Sequence, residues 1–294
     1  MISHEMKLTK IPNYTKLREA KAGYDTDDRS IIDDTHPLHN DPLVDVREFG
    51  FEDAKSYYAK PNPMTGEPVK GVPDAPLVRH DVVKRLQQAE HLLRTDPDVR
   101  DALGAPARLR IDDAIRPYPV QVQAYEVAWP AIIRKMNPGI TDEELAAELP
   151  KNIAKPNRHS PHVAGGAVDV KLVNLDTDKA FDRGHKGGAI KGTAFPDFHE
   201  GYHLEGDSDI PADSVYDYED PRVQQEIIMG RRALHWAMSE AGLYVNPTEI
   251  WHYGRGDALS SFVQSAVTGK TTRPYYGEAK LPDWYVEQMK LEED

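Results

Sequence analysis

Across residues 78–94 the apolar side chains Val82, Val83, Leu86, Ala89, Leu92 and Leu93 recur at helical spacing, which predicts an amphipathic helix with one buried face. The period then changes. Over 108–112, Leu109 and Ile111 alternate with Arg108 and Arg110, predicting a short strand that ends in Asp112–Asp113 and runs on to Arg116–Pro117. A second helix is expected over about 120–129, with Pro130 ending or kinking it because proline lacks an amide donor. Alternation returns over 167–173, with Val168, Val170 and Leu172 on one face and Asp169 and Lys171 on the other, the pattern of a half-buried strand. The clearest helix starts with Asp220 as N-cap and Pro221 at the first helical position. Its buried stripe is Val223, Ile227, Leu234, Ala237 and Ala241, and Gly242 is placed to end it. A last short strand is expected over 248–253.

Between these elements lie stretches without clear period. Residues 1–40 are polar and turn-rich, and read as an extension wrapped on the surface or partly disordered, with no chemistry expected there. Residues 134–157 look like an insertion, and 174–219, rich in Gly, Asp and His, have the profile of a long functional or lid-like loop. Residues 257–294 form a polar tail with no assignable pattern. Helices and strands mix without regular β-α-β alternation, and no GxGxxG or GxxxxGK loop occurs. The expected class is therefore α+β, a small central antiparallel sheet flanked by helices with long inserted loops, rather than a doubly wound nucleotide-binding fold.

Charge narrows the partners. With 36 Lys and Arg against 49 Asp and Glu, the 294-residue chain carries a formal charge of −13. Such a field repels polyanions, so nucleic acid, anionic membranes and anionic wall polymers are disfavoured and a small or neutral substrate is favoured. No window approaches the roughly 18 apolar residues of a membrane span, and MISHEMKLTK lacks a secretory apolar run. A cytoplasmic location is expected, or a periplasmic one if a signal has been removed. The absence of cysteine fits a reducing compartment and many exported proteins alike.

Three segments concentrate groups that a globular protein gains little by burying. In Ser160-Pro-His162-Val-Ala-Gly165-Gly166-Ala-Val-Asp169, the glycine pair lets the chain fold back so that an imidazole and a strand carboxylate converge; both are zinc ligands. The plain alternative is a loop histidine and a strand-end aspartate. Glu249-Ile-Trp-His252-Tyr253 offers a third ligand, His252, and a spare carboxylate, Glu249, suited to a catalytic zinc with an open position. Residues i and i+3 of a flat strand face opposite ways, so this pair meets one metal only if the strand ends, bulges or twists. Asp113-Ala-Ile-Arg116-Pro117 places a guanidinium at a strand end, where it stabilises an oxyanion with Asp113 holding it, or forms a surface salt bridge. His36 and His39 have metal-compatible spacing but read better as loop residues. His185, His199 and His203 read as part of a solvated flap, with a second metal site as the alternative.

Taken together, Ser-x-His-x-x-Gly-x-Ala-x-Asp at 160–169, Glu-x-Trp-His-Tyr at 249–253 and Asp-x-x-Arg-Pro at 113–117 resemble the D-alanyl-D-alanine dipeptidases (VanX-like enzymes). These belong to a larger zinc-peptidase group that includes D,D-carboxypeptidases and lysostaphin-type endopeptidases. Leu43-Val-Asp-Val-Arg47-Glu-Phe-Gly and Tyr58-Ala-Lys-Pro-Asn62 extend the resemblance, so that 41–256 forms the implied catalytic domain, between the 1–40 extension and the 257–294 tail. The resemblance implies Zn2+ held by His162, Asp169 and His252, Glu249 as general base and Arg116 stabilising the oxyanion. It also implies Ser160, Asp113 and Asp197 around the substrate, and a short peptide such as D-Ala-D-Ala as that substrate. The sequence departs at Gly192-Thr193-Ala194-Phe195-Pro196-Asp197, where the family reads Gly-Thr-x-Phe-Asp, so the ammonium-binding carboxylate would fall one residue late. Ile250 also replaces a usual Trp. A related carboxypeptidase or endopeptidase, or a non-catalytic zinc-binding protein on the same scaffold, remains the alternative.

Overall fold

The computed structural model describes residues 8–22, 31–59, 69, 72–181, 184, 194–200 and 221–291. Its first helix is α1 (Thr15–Ala22), followed by strands β1 (Leu43–Asp45) and β2 (Leu77–Arg79), which pair antiparallel as a two-stranded ribbon. Helix α2 (His80–Thr95) buries Val82, Val83, Leu86, Ala89 and Leu93, while Leu92 is partly covered. Asp96 then caps the short α3 (Pro97–Leu103), accepting from the Asp98 and Val99 amides, and the chain enters β3 (Ala107–Asp113).

Helix α4 (Tyr118–Gln123) passes through a π turn, Ala124–Ala128, into α5 (Trp129–Met136). Of the two outcomes expected at Pro130, ending or kinking the helix, the helix does not end at 129. The wide turn, in which the Trp129 amide donates to the Ala124 carbonyl, relaxes the backbone where proline contributes no donor. The expected insertion at 134–157 contains α6 (Asp142–Asn152), started by a capping box between Thr141 and Glu144. Its Leu145 and Leu149 and the following Ile153 join Tyr58, Val72, Val120, Ala124 and Ile133 in a small second core.

Strand β4 (Ala167–Asn174) precedes α7 (Pro221–Glu240), whose N-cap position lies outside the described residues. Gly242, at φ 78°, ends that helical run: its amide donates to Ser239 and the next amide, of Leu243, to Met238. Strands β5 (Tyr244–Asn246) and β6 (Glu249–Gly254) form a hairpin, followed by α8 (Ala258–Thr268), capped by Asp257, and α9 (Asp283–Leu291).

The four-stranded sheet has the order β3-β4-β6-β5 and is antiparallel throughout, so the expected α+β class with a small antiparallel sheet is what forms. One face presents Leu109, Ile111, Val168, Val170 and Leu172 to a core completed by α2 and by Ala233, Leu234, Ala237 and Ala241. Truncating a residue such as Leu86 there to alanine costs about 2–5 kcal/mol. Polar groups collect on the opposite face, beginning with Asp169 and Lys171.

Two terminal regions, one expected as a surface wrap or partly disordered and the other an unassigned polar tail, contribute buried side chains. Leu8, Ile11 and Tyr14 are buried in the main core, and Tyr275, Tyr276 and Tyr285 in the C-terminal stretch are buried as well. His36 stacks on Tyr275 with ring centroids 3.9 Å apart, and His39 Nδ1 lies 2.9 Å from the Tyr275 carbonyl, so both histidines serve loop packing. Among the described residues, no helix is long and apolar enough to cross a membrane.

Candidate metal centre

Two irregularities in the sheet gather the polar residues. In β3, Ile111 pairs with Val170 and Asp113 with Asp169: two residues advance on β3 while one advances on β4. This bulge turns Asp113 from the core-facing set onto the face of Asp169. Across β4, Asp169 lies directly opposite His252, so Asp113, Asp169 and His252 stand in one row across three strands. In the hairpin, one step on β5, Val245 to Asn246, spans four on β6, Tyr253 to Glu249. The flat-strand objection to Glu249 and His252 meeting is thereby removed, and Glu249 Oε2 lies 3.6 Å from His252 Nδ1.

His162 arrives from a compact turn. The Ala164 amide donates to Ser160, Gly165 to His162 and Gly166 to Pro161. Gly165 sits at φ 67°, and a Cβ at Gly166 would lie 2.9 Å from the Arg255 carbonyl oxygen, so this fold-back needs both glycines.

His162 Nε2, His252 Nδ1 and Asp169 Oδ1 form a small triangle. The two nitrogens are 3.2 Å apart, and Asp169 Oδ1 is 3.2 Å from His252 and 3.5 Å from His162. Tetrahedral ligands about 2.0–2.1 Å from one zinc ion must stand about 3.3 Å apart, so the donor set fits such an ion. The second ring nitrogen of His162, Nδ1, is 2.7 Å from the Ala114 carbonyl. It must donate there, so in the neutral ring the Nε2 lone pair faces the triangle. Asp169 Oδ1 is buried with no partner at hydrogen-bonding geometry. Burial alone would raise the Asp169 carboxyl, but His162 and His252 outweigh it and hold it well below the ordinary carboxylate range. These three are the only residues of the described chain that group as possible metal ligands.

Arg116 is held beside this centre. It donates from Nη2 to Asp113 Oδ2 at 2.8 Å and from Nη1 to Gln121 Oε1 at 2.8 Å, and its guanidinium carbon lies 4.5 Å from the Tyr58 ring centroid. Gln121 is oriented in turn by donating to the Ala154 carbonyl, so the 134–157 insertion supports the site. Burial works against the Arg116 charge, but Tyr58 and Asp113 outweigh it and raise its pKa further; Asp169 adds to the same direction. The buried Nε–H has no partner among the described residues.

The three expected substrate-binding residues fare differently. Asp113 spends one oxygen on Arg116 and the other on the Tyr57 amide, 3.1 Å away, which makes it a positioning residue. Ser160 is half-buried at the start of the His162 turn. Asp197 is buried under the N-terminal segment: Arg18 donates to its Oδ1 at 2.6 Å and the Tyr14 amide to its Oδ2 at 2.9 Å. Its carboxylate is therefore already engaged by groups of the chain itself. His199 packs edge-on against Phe198, with ring centroids 5.0 Å apart; His185 and His203 lie outside the described residues. Sequence reasoning missed Gln121 and Asn246, which carry no periodic or motif signal. It also missed Arg18 and Lys21, which sit in a stretch that reads as featureless.

Comparison with protein-family models finds none that matches the chain, and comparison with curated proteins finds no match either.

Proposed function

We propose that the chain is a zinc-dependent peptidase acting on short peptides. The observation that carries this reading is the triangle of two imidazoles and one carboxylate at tetrahedral spacing, with a further carboxylate, Glu249, 3.6 Å from one of the ligands. A purely structural zinc site is closed by four protein ligands, whereas three ligands and a spare carboxylate suit a site open to water and substrate. Zinc held by His162, Asp169 and His252 would supply Lewis acidity to a substrate carbonyl and to the attacking water. Glu249, whose side chain is 40% exposed and so within reach of solvent, takes the proton from the attacking water and passes it to the leaving amine. Arg116, fully charged and pinned by Asp113 and Gln121, stabilises the negative charge that develops on the carbonyl oxygen. Net charge −13 suits a small substrate rather than nucleic acid or an anionic surface.

The resemblance of the 113–117, 160–169 and 249–253 motifs to the D-alanyl-D-alanine dipeptidases makes D-Ala-D-Ala the first substrate to test. A second reading, a carboxypeptidase or endopeptidase on longer peptides, gains from one observation: Asp197 is paired with Arg18 instead of awaiting a substrate ammonium. Product analysis on D-Ala-D-Ala, its N-acetyl form, a D-Ala-D-Ala-terminated tripeptide and L-Ala-L-Ala separates the two. Hydrolysis should vanish on chelation and return with zinc. A preference for the free dipeptide supports the dipeptidase, comparable rates on the blocked and longer peptides support the second reading, and full activity in metal-free protein ends both.

A further inference from the structure

Helix α1, from the region that reads as a polar wrap, reaches the turn that carries Glu249. Lys21 donates from Nζ to Asn246 Oδ1 at 2.8 Å and to Thr248 Oγ1 at 2.9 Å. Asn246 is buried, and its Nδ2 donates to Glu249 Oε2 at 2.9 Å. The direction of this chain follows from chemistry. An ammonium and a backbone amide can only donate, and both Lys21 and the Thr248 amide, 3.1 Å away, meet the same side of the Asn246 carboxamide. That side must be the oxygen, so the NH2 group faces Glu249. Arg18, one turn before Lys21 on α1, secures the same turn, placing Nη1 3.5 Å from the Pro247 carbonyl oxygen while it pairs with Asp197. Leu8, Ile11 and Tyr14 anchor the strand of chain leading into the helix.

We propose that Lys21, acting through Asn246, is a positioning residue for Glu249, so that the N-terminal helix completes the site. This rests on Glu249 as the general base. With a side chain 40% exposed, Glu249 has little packing to hold its rotamer; the Asn246 N–H holds one oxygen and leaves the other for water. Displacement of a catalytic group by about 1 Å costs roughly 100-fold in rate, so loss of this tether should appear in kcat. The burial that draws the Lys21 ammonium down is opposed by Glu249, consistent with a cation held close to that carboxylate.

The test uses the zinc-loaded full chain and three variants. Asn246→Asp keeps the shape and the oxygens facing Lys21 and Thr248 but cannot donate to Glu249. It should lower kcat by roughly tenfold or more with KM and zinc content unchanged. Lys21→Met should lower kcat in the same way, and Lys21→Arg should recover most of it. Apart from turnover, Lys21→Met should speed amide hydrogen exchange at Thr248, whose N–H donates to Asn246. An active wild type with wild-type kcat in both Asn246→Asp and Lys21→Met overturns the inference, as does unchanged exchange at Thr248. A wild type that hydrolyses no peptide overturns the peptidase reading instead, and the exchange measurement still decides whether Lys21 holds the turn. If Lys21→Met fails to fold, Asn246→Asp carries the decision alone.

Discussion

Acid should loosen the N-terminal segment before it unfolds the sheet, through His235 on α7. Its Nε2 lies 2.8 Å from the Tyr14 hydroxyl, and burial pushes its pKa down to about 4 against the opposing pull of Glu200 and Asp197. Arg232, paired with Glu200 through two hydrogen bonds, and Arg18, paired with Asp197, are the cations facing the same cluster. The folded-state pKa lies below the unfolded value of about 6.5, so between those limits the unfolded chain binds more protons and stability falls as pH falls. The window runs from about pH 6.5 down to about pH 4. Going from about 6.5 to about 4 at 1.36 kcal/mol per pH unit gives at most about 3.4 kcal/mol, and about 2 kcal/mol after allowance for screening of the partly exposed ring. His235→Gln keeps an acceptor for Tyr14 but does not titrate. Urea unfolding of metal-free protein at about pH 7 and about pH 4.5 should therefore show wild type losing about 2 kcal/mol more than the variant. The comparison cancels the contributions of titrating groups that both proteins share, His162 among them. Equal losses in the two proteins refute the assignment of His235 as the acid-sensitive joint.

Arg116→Ala should retain zinc and lose turnover mainly in kcat, by roughly 100-fold, because its contact strengthens as negative charge develops; metal analysis with steady-state kinetics checks this. Gly166→Ala forces a Cβ to within 2.9 Å of the Arg255 carbonyl, so it should destabilise the protein by about 1–3 kcal/mol and weaken metal binding by displacing the His162 turn, measurable by thermal unfolding and zinc titration. Alanine at His162, Asp169 or His252 should each abolish tight zinc binding while leaving the main-core face of the sheet folded, as read by circular dichroism.

The elements legible in the sequence are those whose period is simple. The α2 and α7 stripes and the alternation in β3 and β4 identify most of the buried side chains, though Leu92 and Val223 are only partly covered, and His162, Asp169 and His252 stand out because metal chemistry restricts residue type. The bulges at Asp112 and between Asn246 and Tyr253 were not legible, since a change of register leaves the residue types unchanged. They nevertheless decide whether Asp113 and Glu249 face the site. The anchoring of residues 8–22 escaped detection for a different reason. Leu8, Ile11 and Tyr14 are spaced by three, neither a strand's two nor a helix's 3.6, and the segment's polar partners, Asp197 for Tyr14 and Asn246 for Lys21, lie far along the chain. The pairing of Asp197 with Arg18 could not be read from their separate places in the sequence.

The central claim, one zinc at the His162–Asp169–His252 triangle with Glu249 as base, is tested most directly by Glu249→Gln. Glutamine keeps the size and a hydrogen-bonding group but takes no proton. The variant should hold about one zinc per chain, as wild type does, and turn over the cleaved peptide roughly 10²–10⁴-fold more slowly. Full zinc with near-normal kcat in that variant would contradict the account, because another group would then be the base; loss of zinc would make Glu249 a ligand and the three-residue site wrong.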